Sequence, residues 1–213
     1  QLVNEGHQIL LPQLATAKVN AAYALKELCR FEEARVECEQ GLAVLSKEYG
    51  SYKPAVAATL DLLGELCVAS GKLEDGAKHV ERAIEIRSMW GSRDNVALAT
   101  SYNVLGAVRL EQGLNDEARK AFREALRLHA ISEPTLRDDV TQKQKEQLVE
   151  NSDTTEVTTK TQHDFLTVPA AVALSNYAGI LRAENKTKGC IIALKTSADA
   201  FERNLNGDSP MLG

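Results

Sequence analysis

The chain has 213 residues and a mass of 23.2 kDa; 44% of the residues are hydrophobic and 26% are charged, as in a folded globular protein. It carries 25 basic and 30 acidic residues, a net charge of −5, and no Lys- or Arg-rich cluster dense enough to bind a row of phosphates, so nucleic acid is not expected as a partner. Charged residues also interrupt every apolar run before the roughly 18 residues that a membrane-spanning helix requires.

Cysteine and histidine spacing gives no support for a metal centre, a disulfide framework or a thiol redox motif. The four cysteines form no C-x-x-C pair, and the four histidines are scattered. The chain begins with Gln1, so we expect a fragment of a longer protein. It shows no secretory signal, and we expect a cytoplasmic location. No bound cofactor is expected. Five prolines and a Leu-, Ala- and Glu-rich composition predict an all-α fold.

From the N-terminus, a repeat of 42 residues organises about the first 130 residues. Ala22, Gly64 and Gly106 are separated by this interval, and small residues recur at further positions in the same register. Each repeat predicts two helices, since apolar or small residues follow helical spacing along both halves and Gly113 ends a first helix. One such hairpin is too small to be stable alone, so neighbouring hairpins are expected to stack and share a core.

A fourth copy follows after an acidic insertion at residues 131–167, which we interpret as a surface excursion without a role or, alternatively, as a regulatory arm phosphorylated on threonine. The last segment, 204–213, contains Gly207, Pro210 and Leu212, and we interpret it as the joint to a further repeat. The predicted organisation is a single domain fragment, residues 1–213, whose repeats span residues 14–48, 55–90, 97–130 and 168–203.

The third repeat carries a recognisable signature. Its residues that match the tetratricopeptide repeat are Tyr102, Leu105, Gly106, Gly113, Ala118, Phe122 and Ala125, whereas Arg109 departs from the pattern. The 42-residue spacing and residues 54–91 are similar to the repeats of kinesin light chains. The resemblance implies an all-α, right-handed superhelical solenoid of about four hairpins and the start of a fifth.

The same resemblance implies a concave groove, lined by the first helices, that binds a peptide or a helix of a protein partner. The candidate groove residues are Asn20, Tyr23, Lys26, Asp61, Glu65, Asn103, Ala107, Ser175, Asn176 and Arg182. The asparagines would hold a peptide backbone or, alternatively, bridge neighbouring helices. Tyr23 would be a binding hot spot or a core residue, and the charged residues would contact a peptide or simply be solvated.

The other candidate residues have simpler interpretations. Cys38, Cys67 and Cys190 fall at positions expected to be buried, where a free cysteine behaves as a small hydrophobic residue. Trp90 is expected to join neighbouring hairpins. The acidic residues Asp61 and Glu65 argue against the family's clamp for a terminal carboxylate.

The predicted function is that of an interaction scaffold or adaptor, with motor cargo among the partners considered. The alternative is a structural element of a cytoskeletal or ciliary assembly that uses lateral or end-to-end contacts, including self-association. No catalytic motif or phosphate-binding loop is present, so the sequence predicts a protein that is not an enzyme. We expect a cytoplasmic location with association with the cytoskeleton.

Overall fold

The computed structural model describes residues 2–89, 95–129 and 166–205, and these residues form eight α-helices and no strand. The prediction of an all-α fold is confirmed. The helices are α1 (Leu2–Glu27), α2 (Phe31–Tyr49), α3 (Pro54–Ala69), α4 (Leu73–Met89), α5 (Asn95–Glu111), α6 (Asn115–Leu128), α7 (Val168–Ala183) and α8 (Thr187–Leu205). Helix α1 begins well before residue 14, where the first repeat was predicted to start. The predictions for Trp90, for nearly all of the insertion and for the C-terminal joint fall outside the described residues.

The chain divides into two compact units, Gln1–Ala118 and Arg119–Gly213. In the first unit, α1 packs against α2 and α3 against α4, so consecutive helices form the predicted hairpins. The first helix of each following hairpin then covers the second helix of the preceding one: α3 lies against α2, and α5 against α4. In the second unit, α7 and α8 form one further hairpin.

The contacts between successive hairpins in the first unit are apolar. Buried Cys38 of α2 packs in one cluster with Leu62, Leu63 and Leu66 of α3. Val80 of α4 packs in the next cluster with Val104 and Val108 of α5. Burying one such side chain contributes about 1.5–3 kcal/mol before the entropic cost of ordering it. The buried positions predicted for Cys38, Cys67 and Cys190 are confirmed.

Glycine allows α3 and α4 to approach closely. A Cβ atom on Gly64 would lie 2.2 Å from Cγ2 of Val80, and one on Gly76 would lie 2.9 Å from Cβ of Cys67. Neither position has room for a side chain without a shift of its neighbours. Small residues of the 42-residue register thus lie where α3 and α4 touch.

The turns inside the hairpins share one backbone conformation. Cys29, Gly71, Gly113 and Asn185 all adopt a positive φ, between 57° and 78°. At each turn the amide of this residue donates to a carbonyl three residues earlier, and the next amide donates to a carbonyl five residues earlier, as in a Schellman motif. Glycine meets no steric penalty there, whereas cysteine and asparagine do.

Replacing Cys29 by glycine is expected to raise the free energy of unfolding by about 0.5–1 kcal/mol, because the left-handed conformation at this position strains a residue with a Cβ atom. Cys29 is exposed, so little packing is lost. Urea denaturation measures the change. Cys29→Ala is the control, since it keeps the Cβ atom and should leave stability nearly unchanged; an equal gain in both variants would contradict the explanation.

Polar contacts help hold the α7–α8 hairpin together. Ser197 of α8 is buried, and its hydroxyl donates to the carbonyl of Ala171 at 2.7 Å. The side-chain amide of Asn204 donates to the carbonyl of Leu166 at 3.2 Å. The buried face of α8 thus points toward α7, and its opposite face is exposed.

Candidate functional site

The 42-residue period places corresponding residues of α1, α3 and α5 on one surface of the first unit. Within this unit α1 contacts α3, and α3 contacts α5. We refer to the surface that carries Tyr23, Lys26, Glu65, Asn103 and Ala107 as the first-helix surface. Tyr23 is exposed over 44% of its surface, whereas the other four residues are partly buried.

Tyr23 lies beside an ion pair that connects α1 with α3. The ammonium of Lys26 donates to Oε2 of Glu65 at 2.5 Å. Burial disfavours the charged form of Lys26, but the hydrogen bond and the negative charge of Glu65 outweigh it and raise the pKa of Lys26. Burial, together with the charge of Glu65, also raises the pKa of Tyr23. At neutral pH the phenol is therefore neutral and available as a hydrogen-bond donor.

Asp61, predicted to face the groove, is buried instead, with 5% of its surface exposed. Oδ2 of its carboxylate lies 2.8 Å from the guanidinium of Arg87 on α4, and the hydroxyl of Ser101 on α5 donates to it at 2.9 Å. We refer to these three residues as the buried triad. Burial raises the pKa of Asp61 to about 7, against the opposing effects of Arg87 and Ser101.

The sequence did not point to Arg87 or Ser101. A signal for Arg87 was nevertheless present: in the 42-residue register it occupies the position of Leu45, an apolar core residue of the first hairpin. A charged residue at a core position requires a buried partner, because an uncompensated buried charge is costly. Asp61, one of two charged residues in the largely apolar helix α3, is that partner.

The three asparagines do not occupy one repeat position. Asn20 corresponds to Leu62 and Val104, which are buried against the preceding second helix. Asn20 is exposed because no hairpin precedes α1 among the described residues. Asn103 corresponds instead to Asp61, one position earlier in the repeat than Asn20. It is partly buried on α5, one helical turn before Ala107.

In the second unit, the candidate residues lie on α7. Ser175 and Asn176 are partly buried, and Arg182 is exposed near the C-terminal end of the helix. Gly179, one turn before Arg182, has open space where a Cβ atom would be. Glu184, just after α7, forms an ion pair with Arg119 of α6. Arg182 is the basic residue in the last turn of α7, and its side chain is exposed.

Arg109, the departure from the repeat signature, is partly buried and lies between two carboxylates. Its guanidinium pairs with Glu81 of α4 and with Glu117 of α6. The apolar residue expected at this position is therefore replaced by charged contacts among α4, α5 and α6.

The described helices are each too short or too polar to cross a membrane. Among the same residues, no group of three or more histidine, cysteine or acidic side chains could hold a metal ion. Stacked helix hairpins with apolar joints and a mixed polar and aromatic surface on their first helices define a helical repeat scaffold.

Comparison with protein families identifies the repeat. A family model described as tetratricopeptide repeat matches residues 13–88 and residues 63–130, together more than half of the chain. The chain belongs to the tetratricopeptide repeat family, whose fold is a non-enzymatic scaffold for interactions between proteins. No curated protein matches the chain.

Two solved structures show the same fold at low sequence identity. BtubC (BKLC) from P. vanneervenii aligns with a TM-score of 0.62 and 16% identity; the alignment covers 92% of this chain and 66% of BtubC, slightly less than two thirds. A protein from Podosopora anserina, described as a kinesin light chain with nearly identical TPR-like repeats, aligns with a TM-score of 0.52 and 16% identity, covering 91% of this chain and 97% of that one. The resemblance to kinesin light chain repeats is thus confirmed at the level of the fold.

Proposed function

We propose that the first-helix surface binds an extended or helical segment of a protein partner, so that the chain acts as an interaction scaffold or adaptor. The observation that carries the proposal is the exposed ring of Tyr23 beside the Lys26–Glu65 ion pair. A tyrosine presents a large contact area with few rotatable bonds, which is why tyrosines are frequent among binding hot spots. Its neighbouring charges would orient the bound segment.

The ion pair determines which segments fit. Lys26 is already held by Glu65, so an acidic side chain of a partner would have to displace that carboxylate. An apolar or aromatic residue that packs on the ring of Tyr23 needs no such exchange. We therefore propose a segment with an apolar anchor, whose backbone polar groups contact the amide of Asn103 beside Ala107.

The remaining groove candidates belong to the same proposal. Asn20 would contact a segment that extends past the edge of the first-helix surface. Ser175, Asn176 and Arg182 would provide a second contact region on α7, and Arg182 is the exposed cation suited to an acidic residue. Cargo of a molecular motor is one class of partner, suggested by the fold shared with kinesin light chain repeats. The proposed function involves no catalysis, no nucleic acid and no cofactor.

Replacing Tyr23 by alanine is expected to weaken peptide binding by at least about tenfold, the usual effect of removing an aromatic hot spot. Random peptides displayed on phage would be selected on the wild-type chain, and the affinity of each synthetic peptide then measured by fluorescence anisotropy. Tyr49→Ala is the matched control, because Tyr49 lies on α2 and is exposed to a similar extent, 47%. Equal affinities for both variants, or failure to select any peptide, would contradict the proposal.

A second candidate function is favoured by the exposed apolar residues of α8, which include Ile191, Leu194 and Leu205. A scaffold with such a face could join a larger cytoskeletal or ciliary assembly through contacts between copies. Cytoplasmic location with association with the cytoskeleton is part of this second proposal.

A further inference from the structure

The loop between α2 and α3 is an accessible part of the chain. Residues 49–55 are all exposed. Helix α2 ends at Tyr49, Gly50 follows with a positive φ of 84°, and Pro54 begins α3, so residues 50–53 are not helical. An exposed segment of this kind can enter the active site of a modifying enzyme without the unfolding of a helix.

Tyr52, in this loop, differs from the other tyrosines of the chain. All five tyrosines lie within the described residues, and Tyr52 is the one outside a helix. It is 48% exposed, whereas Tyr177 is buried and Tyr102 is partly buried. The phenol of Tyr52 is therefore the one that an enzyme reaches with the least change of structure.

A guanidinium from α4 lies against the ring of Tyr52. The central carbon of the Arg82 guanidinium is 4.4 Å from the ring centroid, which is the geometry of a cation–π contact. A hydrogen bond to the phenol of Tyr52 and a second one to Glu85 raise the pKa of Arg82. The bond to Glu85 uses Nη1 and measures 2.5 Å. A guanidinium has five N–H donors, so these two bonds do not exhaust it.

The arginine is particular to this hairpin. In the 42-residue register Arg82 corresponds to Gln40 of α2 and to Glu124 of α6, so the repeat does not require a cation at this position. The contact between Arg82 and Tyr52 is thus a property of this loop rather than of the fold.

The charges around the phenol suit a phosphate group. A phosphate on tyrosine carries a charge of about −1.5 to −2 at neutral pH and three acceptor oxygens, and arginine binds such a group through two parallel hydrogen bonds. Lys53, the next residue, is exposed and adds a second cation to the loop. Glu85 is the carboxylate that a phosphate would compete with for Arg82.

We propose that Tyr52 is a phosphorylation site whose phosphate is held by Arg82. A protein tyrosine kinase would transfer the γ-phosphoryl group of a nucleoside triphosphate: the bond from Oη of Tyr52 to phosphorus forms, the bond from phosphorus to the bridging oxygen breaks, and the nucleoside diphosphate leaves. A base of the kinase takes the phenolic proton. The product joins the loop to α4 through an ionic contact in place of the cation–π contact.

The inference goes beyond binding at the first-helix surface and does not depend on it, since the readout is a modification at another place in the chain rather than the affinity for a peptide.

Kinase treatment of the full chain tests the accessibility of Tyr52. The chain is incubated with ATP and the catalytic domain of a broad-specificity tyrosine kinase, and each modified tyrosine is quantified by mass spectrometry. Tyr52 is expected to react at least about tenfold faster than Tyr23 or Tyr102, because a tyrosine within a helix reacts only after local unfolding. Tyr49 is the internal control, since it is 47% exposed but belongs to α2.

Phosphorus NMR of the phosphorylated chain tests the role of Arg82. The second pKa of the phosphate is expected to be lower in the wild type than in Arg82→Gln, because a neighbouring cation favours the dianion. Lys72→Gln is the matched control: it also removes a cation, but one that pairs with Glu32 and lies ten residues before Arg82. Its phosphate should titrate as in the wild type, and circular dichroism checks that both variants retain their helix content.

Two results would overturn the proposal. One is a Tyr52 that stays unmodified or reacts no faster than Tyr49. The other is a phosphate on Tyr52 that titrates identically in the wild type and in Arg82→Gln.

Discussion

The Asp61→Ala variant is expected to lose about 3–5 kcal/mol of unfolding free energy at pH 8, because it leaves the buried guanidinium of Arg87 without a carboxylate. Only 7% of either side chain is exposed, so water cannot replace the lost partner. The hydroxyl of Ser101 also loses its acceptor. A pH of 8 lies above the raised pKa of Asp61, so the carboxyl is mostly ionised. The comparison therefore concerns the ion pair rather than a neutral acid. Urea denaturation followed by circular dichroism measures the change.

Two further variants separate the ion pair from the general effect of removing a charge. Glu65→Ala breaks the half-exposed pair with Lys26 and is expected to cost less than about 1 kcal/mol. Asp61→Ala combined with Arg87→Met removes both buried charges and should recover much of the lost stability. If Asp61→Ala cost no more than Glu65→Ala, the buried triad would not be a main support of the α3–α4–α5 packing.

Replacing Gly64 by valine is expected to destabilise the first unit by about 3 kcal/mol or more, because overpacking a close helix contact displaces backbone as well as side chains. The added Cβ atom alone would meet Val80 Cγ2 at 2.2 Å and Val104 Cγ1 at 3.3 Å. The two further methyl groups of valine have still less room, and valine is stiff about its first side-chain torsion. The thermal unfolding midpoint and the urea midpoint should both fall.

A second helical glycine offers the matched control. Gly179 lies within α7, and a Cβ atom there would meet open space. Gly179→Ala is therefore expected to raise stability by about 0.5–1 kcal/mol through helix propensity alone. Truncating Val80 to alanine in the presence of Gly64→Ala should cost less than in the wild type, since the space lost to one methyl group is returned by another. Additive effects of these two substitutions would argue against a steric cause.

The residues of the first-helix surface contribute less to stability than the buried triad, and in the proposed function they are the ones that contact the partner. The ion pair of Lys26 and Glu65 and the exposed ring of Tyr23 contribute little to folding, so a binding partner can use them without disturbing the core. The buried triad has the opposite character, since it joins three helices beneath this surface. Asp61 of the triad and Glu65 of the surface ion pair lie four residues apart on α3, but Asp61 is buried and Glu65 is partly exposed.

The 42-residue period by itself determined the fold class, the pairing of helices into hairpins and the identity of the buried small residues. These properties are local or repeat at a fixed interval, so equal positions in the sequence meet nearly equal surroundings. The positive-φ turns illustrate the point: Gly71 and Gly113 have the residue that the turn favours, and the register alone places Cys29 in the same conformation.

Only the tertiary structure decided which members of a repeat position are buried and which are exposed. Asp61 and Asn103 share one register, but Arg87 from α4 and Ser101 from α5 converge on Asp61 and close it off from solvent. Leu194 shares the register of Cys38 and Val80, yet no helix covers it within the described residues. Burial and charge pairing depend on neighbours distant in sequence, and a repeat pattern does not specify which side chain each neighbour contributes.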